Sequence, residues 1–151
     1  GIGVAQRLAK EIVDLGCLVI SGGARGIDSL AHAAAVAAAS PTVAVLGCGV
    51  DVVYPRGNAT LFERIAERGA VVSEHPCGAP PLPHHFPIRN RLLAGWSCAV
   101  AVVEADLQSG SLITARLGME QGRDVLAVLG GARRVMLAAL DQGGTSFDAL
   151  T

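Results

Sequence analysis

Aromatic residues make up only 3% of this 151-residue chain, and lysine occurs once, at Lys10. The first shortage excludes an extended stacking platform for successive bases. The second leaves arginine to supply nearly all of the positive charge, and arginine suits planar, bidentate recognition of phosphate where lysine acts as a point charge. An arginine bias of GC-rich coding accounts for the same composition. The four cysteines, Cys17, Cys48, Cys77 and Cys98, form no CxxC pair, which argues against a zinc site or a disulfide framework and fits a reducing cytoplasm. No apolar run approaches the roughly 20 residues of a membrane span, so a soluble chain without membrane contact is expected. GxSxG, HExxH and P-loop motifs are missing as well, and hydrolytic or kinase chemistry has no motif to rest on. Net charge is −1, so a polyanion would have to be met by a local cluster. The chain shows no targeting segment and does not begin with Met; a trimmed fragment is expected.

What is present is a 51% hydrophobic sequence cut into short pieces. Residues 3–16 carry Val4, Leu8, Ile12 and Leu15 at helical spacing and stop at Gly16. "CLVIS" reads as a buried strand, followed by an alanine-rich helix from Asp28, its expected N-cap, to Ala39. "TVAVLG" is the next strand, "NATLFERIAERG" a helix capped by Asn58 and closed by Gly69, and "AVVSE" a third strand. The proline-rich loop "HPCGAPPLPHHFP" leads into the helix "IRNRLLAGWS", with Pro87 in its first turn. "CAVAVVEA", the helix "SLITARLGMEQG" and the strand "DVLAVLG" follow. Apolar strands separated by helices predict an α/β fold: one open, mostly parallel twisted sheet with helices on both faces, Rossmann-like. The chain opens in a helix, so a first strand is expected to be missing. A domain of residues 1–129 and a divergent C-terminal segment, 130–151, are expected.

The polar motifs share a position. "SGGARGID", "GCGVDVVYP", "SEHPCG" and "EADLQSGSLIT" each follow a strand, at the carboxyl edge where open α/β sheets bind ligands. In the first, Ser21, Gly22, Gly23 and Gly26 allow close backbone approach, the turn opens a helix whose free N–H groups attract anions, and Arg25 adds a charge. The same turn read as a mere tight connection needs no ligand. Ser109, Gly110 and Ser111 precede another helix, with Ser111 as its N-cap and Thr114 in its first turn. Glu104 and Asp106 stand nearby and are read as orienting Arg25. Arg89 and Arg91 lie two positions apart, about 200° around a helix, so both cannot grip one phosphate; one faces the ligand while the other pairs with a carboxylate, and spacing does not say which. Asn90 could reach a neighbouring backbone group. His32 shares a helical face with Asp28 and is read as structural. His75, His84 and His85 lack metal-ligand spacing, so neither a metal nor a cofactor is expected. Tyr54 and Phe86 are the aromatics nearest the edge, and either could stack on a base.

Taken in order, "SGGARGID" with "AH", "AVLGCGVDVVYP", "VSEHPCGAPP", "HHFPIRNRLLAGWS" and "VVEADLQSGSLITARLGMEQGRDVLAV" resemble the DprA/Smf family of DNA processing proteins, from about Gly3 to Val128. The resemblance implies an extended Rossmann fold that binds single-stranded DNA, forms a homodimer, and loads a RecA-type recombinase during natural transformation, DNA uptake and recombination, with no catalysis of its own. It implies DNA or phosphate contact at Ser21, Gly22, Gly23, Arg25 and Gly26, at Arg89, Asn90 and Arg91, and at Ser109, Gly110, Ser111 and Thr114. Three departures stand out. Pro83, His84 and His85 occupy a region where relatives often carry a lysine, the segment after the fifth strand does not follow the family, and the family's first strand and accessory domains are absent from this chain. The alternative is a nucleotide hydrolase of the phosphoribohydrolase type using the same pocket, with Glu74 or Glu104 as acid/base; its PGGxGTxxE signature is not reproduced.

Overall fold

The computed structural model describes residues 2–103, 105 and 109–127. Its elements alternate as the sequence pattern requires: α1 (Ile2–Asp14), β1 (Val19–Ser21), α2 (Ile27–Ala37), β2 (Thr42–Leu46), α3 (Ala59–Arg68), β3 (Ala70–Ser73), α4 (His85–Trp96), β4 (Ala99–Val102), α5 (Gly110–Glu120) and β5 (Asp124–Ala127). A short 3-10 turn, Arg56–Asn58, precedes α3. Every strand pairing among the described residues is parallel, and the fold is the expected open α/β arrangement. The strands form two ladders among the described residues, β1-β2-β3 and β4-β5, where the sequence suggests one continuous sheet. The expected boundary at residues 129/130 and the segment beyond it lie outside the described residues.

Register follows burial. Val19, Ile20 and Ser21 lie beside Thr42, Val43 and Ala44, and Ala44, Val45 and Leu46 beside Val71, Val72 and Ser73. Strand β2 is the centre of its sheet and is accordingly the most apolar. Its Ala44 and Leu46 join Val36 of α2, Cys48, and Phe62 and Ile65 of α3 in one buried cluster. A second cluster, Val100, Val102 and Ala115, packs α5 against β4. All four cysteines are free thiols.

Helix α1 lies on α2, burying Ala5 and Ala9, whose small side chains one turn apart let the two helices approach closely. Val4, Leu8 and Ile12 are partly covered, but Leu15, expected on the same stripe, is 80% exposed. The helix has already ended there: Gly16 takes φ 76°, and the amides of Gly16 and Cys17 donate back to the carbonyls of Val13 and Ile12, a Schellman stop that turns Leu15 off the helical face.

Under the first ladder, His32 is completely buried. The Thr42 hydroxyl donates to the Val19 carbonyl at 2.7 Å, so it accepts from His32 Nδ1–H at 2.8 Å, which fixes the tautomer. The bond to Asp28 suggested by helical spacing is not made; Nδ1 bonds the Thr42 hydroxyl on β2 instead. Burial pushes the His32 pKa down from 6.5 to about 4, opposed by the charge of Asp28. No helix among the described residues is long and apolar enough to cross a membrane.

Candidate nucleic-acid interface

The turn after β1 is held by side chains from four directions. Asp28 sits in the first turn of α2, and its carboxylate folds back to accept from the amides of Gly22 at 3.0 Å and Ala24 at 3.2 Å. The N-cap is Gly26, which offers no side-chain bond; Asp28, expected in that role, lies two positions too late and satisfies the turn instead. Arg89 Nη1 donates to the Gly22 carbonyl at 2.8 Å and to the Val45 carbonyl. Asn58 Nδ2 donates to the Gly23 carbonyl at 2.8 Å and to Ser29 Oγ at 2.8 Å, while Ser29 Oγ donates to the Ala24 carbonyl at 2.6 Å. A concave run of backbone N–H groups ordinarily invites an anion. Here an internal carboxylate already occupies it.

Two residue types follow from this packing. Gly22 is buried with the Arg89 guanidinium against its Cα: a Cβ there would lie 2.4 Å from Nη2 and 2.6 Å from Cζ, so only glycine admits the guanidinium. Arg89 itself is 6% exposed. Burial lowers its pKa and the charge of Asp28 opposes the shift; an arginine stays protonated regardless. The pair thus clamps Gly22 from both sides, with the cation on its carbonyl and the anion on its amide.

The two arginines of "RNR" divide as their angular separation demands. Arg89 points into the fold, and Arg91 forms an exposed ion pair with Glu74, just after β3. Asn90 is also buried: its Oδ1 accepts from Arg89 Nε at 3.2 Å, and its Nδ2 donates to the Gly110 carbonyl at 3.2 Å. Through this chain α4 ties the ends of β1 and β2 to the start of α5. There the N-cap is Ser109, whose Oγ accepts from the Ser111 amide at 3.3 Å; Ser111, expected as the cap, is the second residue of the helix, with its hydroxyl 2.5 Å from that of Ser109. Thr114 Oγ1 donates back to the Gly110 carbonyl at 3.5 Å.

Arg25 is the exception. It is exposed and forms no ion pair or hydrogen bond among the described residues. Ser21 ends β1, half-buried, and Gly22 and Gly23 are buried, so of the first motif only Ala24, Arg25 and Gly26 reach the surface. Glu104 and Asp106, read as orienting Arg25, lie outside the described residues. Beside the edge, the rings of Tyr54 and Phe86 stand 5.6 Å apart at 41°, Tyr54 being 46% exposed. His75 stacks on His85 at 3.9 Å, and His84 meets His85 edge-on at 4.5 Å. His85 Nδ1 lies 3.1 Å from the Gly47 carbonyl. Among the described residues no three His, Cys, Asp or Glu side chains are grouped to hold a metal ion. Asn58 takes the expected N-cap position of α3, but its side chain makes no cap bond and holds the Arg25 turn instead. Its signal was only an asparagine after "YPRG", which also reads as a cap.

Fold and edge together define a doubly wound, parallel α/β domain that locks its strand-end backbone from within and presents Arg25, unpaired among the described residues, at that edge. The chain belongs to the family described as DNA recombination-mediator protein A, which it matches over residues 1–142. It is 50% identical over 122 residues to protein Smf of Escherichia coli K12, covering 80% of this chain and 33% of that protein. To the DNA processing protein DprA of Streptococcus pneumoniae it is 46% identical over 127 residues, covering 84% and 43%. The chain therefore spans about a third to two fifths of these relatives' length. The crystal structure of the Streptococcus pneumoniae protein superposes with a TM-score of 0.78 at 36% identity, over 92% of this chain and 52% of that one. The Helicobacter pylori DNA processing protein A, whose structure concerns a single-stranded DNA binding mode, superposes with 0.83 at 29%, over 94% and 66%.

Proposed function

We propose that this chain is the DNA-binding domain of a recombination mediator. It holds single-stranded DNA at the carboxyl edge of its strands, carries no catalytic activity, and acts as part of a homodimer that passes the strand to a RecA-type recombinase during DNA uptake. The observation that carries the reading is Arg25: exposed, without a partner among the described residues, and mounted on a turn whose backbone is fixed by Asp28, Arg89, Asn58 and Ser29. Such a guanidinium is preorganised for a phosphodiester, and the uncapped start of α2 adds its partial positive charge. The single-stranded DNA binding mode of the Helicobacter pylori relative supports the same ligand. Tyr54, half-exposed against Phe86, offers one ring face to a base.

Within the motif residues the roles divide. Arg25 and the backbone of Gly26 meet the phosphate; Gly22, Gly23, Arg89 and Asn90 position the turn; Ser109, Gly110, Ser111 and Thr114 form the second helix start along the strand's path. Nucleotide hydrolysis loses its support, since Asp28 fills the backbone concavity that a nucleotide's phosphate would need.

Fluorescence anisotropy with single- and double-stranded oligonucleotides across a salt series tests this. Single strands are expected to bind more tightly, with affinity falling steeply as salt rises. Arg25→Ala is expected to weaken binding about tenfold and to flatten the log–log salt slope by about 0.7, the value for one lost single-strand phosphate contact. Equal affinity for both DNA forms, or an unchanged Arg25→Ala variant, sinks the assignment.

A further inference from the structure

Arg56 opens the 3-10 turn Arg56–Asn58 and is exposed. The turn is closed by the Asn58 amide on the Pro55 carbonyl at 3.0 Å. Asn58 also spends its side chain on the Arg25 loop, through Gly23 and Ser29, each at 2.8 Å. Two segments far apart in sequence are thereby pinned side by side. From that fixed contact Arg25 lies two residues along one strand-end loop, and Arg56 lies two residues along the other.

Arg56, like Arg25, forms no ion pair among the described residues. Asp28 accepts from the Gly22 and Ala24 amides and faces the buried charge of Arg89, and Asp51 Oδ1 accepts from the Gly78 amide at 2.8 Å. Gly57 has open space where a Cβ would stand, so nothing covers the turn between the guanidinium and its anchor. Tyr54, half-exposed, is two residues before Arg56. Two guanidiniums on loops pinned together by Asn58, neither in an ion pair among the described residues, suit a shared polyanion.

We propose that Arg56 is a second phosphodiester contact, taking a phosphate of the same strand that Arg25 grips, with Asn58 as the residue that sets the spacing between them. The proposal rests on the single-stranded DNA reading above. It makes "YPRGN" a recognition element in its own right, carrying a ring face, a guanidinium and an anchor within five residues.

The test is anisotropy with a labelled oligothymidine on the parent chain, Arg56→Ala, Arg25→Ala, the double variant, and Arg68→Ala. Arg68 is an exposed arginine at the end of α3, just before β3 and so at the opposite edge of the sheet; it controls for net charge alone. Arg56→Ala is expected to lose about tenfold in affinity and about 0.7 of salt slope, and the double variant about 1.4, with Arg68→Ala close to the parent. Binding by the parent that Arg25→Ala weakens, but that Arg56→Ala alters no more than Arg68→Ala, overturns the Arg56 contact and leaves the wider reading standing. No binding by the parent overturns both.

Discussion

The strand-end turns before α2 and α5 are built to different standards. Before α2, the backbone of Gly22 to Ala24 is bonded by Asp28, Arg89, Asn58 and Ser29, side chains drawn from three separate segments. Before α5, the bonds among the described residues include Asn90 on the Gly110 carbonyl, Ser109 with Ser111 and Thr114 with Gly110. A turn tied by long-range bonds moves only when the whole domain opens; one tied mostly within itself can adjust alone. The first therefore holds Arg25 as a fixed cation.

The largest break in this contrast comes from Arg89→Met. Removing the guanidinium leaves the Gly22 and Val45 carbonyls without their donor and Asp28 without a compensating charge, and stability should fall by about 3–5 kcal/mol, read as a shift of the urea midpoint. A fall below 1 kcal/mol would show that the clamp is not what holds the first turn.

Acid probes the same region from below. His32 has its pKa pushed down to about 4 in the folded chain, against about 6.5 unfolded. Between those values the unfolded chain takes up a proton that the folded chain refuses, so stability is full above pH 6.5 and declines as pH falls toward 4, by about 3 kcal/mol in all. Urea unfolding at stepped pH should show the decline in the parent and a shallower one in His32→Gln. Parallel curves for the two would remove His32 as the cause.

The smallest effect belongs to the second turn. Ser109→Ala deletes a cap bond and should cost about 1 kcal/mol, with single-strand affinity changing by less than it does for Arg25→Ala. A cost as large as that of Arg89→Met would erase the distinction between the turns.

Which parts of this were legible in the sequence follows from how far each signal travels along the chain. Periodicity is local, and it located all ten elements and their strand-end motifs; the family resemblance rests on those same motifs. Cap positions were missed by two residues at both helix starts, because Asp28 and Ser111 are good caps by type and only geometry shows Gly26 and Ser109 in the role. The division between Arg89 and Arg91 was legible as a division but not in its direction, which depends on which face of α4 meets β2. The work of Asn58 was invisible, since its partners Gly23 and Ser29 lie about thirty residues away. Separate ladders in place of one sheet were unreadable for the same reason: pairing is a relation between strands, and each strand alone looks alike.

Asp28 carries one more consequence. A phosphate monoester in solution competes for pockets that are vacant, and the concavity at Gly22 to Ala24 is sealed by a covalently tethered acid whose effective concentration no free metabolite matches. What remains outside is a set of dispersed charges, each weak on its own. A mononucleotide can engage one of them at a time, whereas a polymer engages several at once and gains by linkage. On the proposed function, filling its own nest leaves a mononucleotide little to hold and favours a polymer.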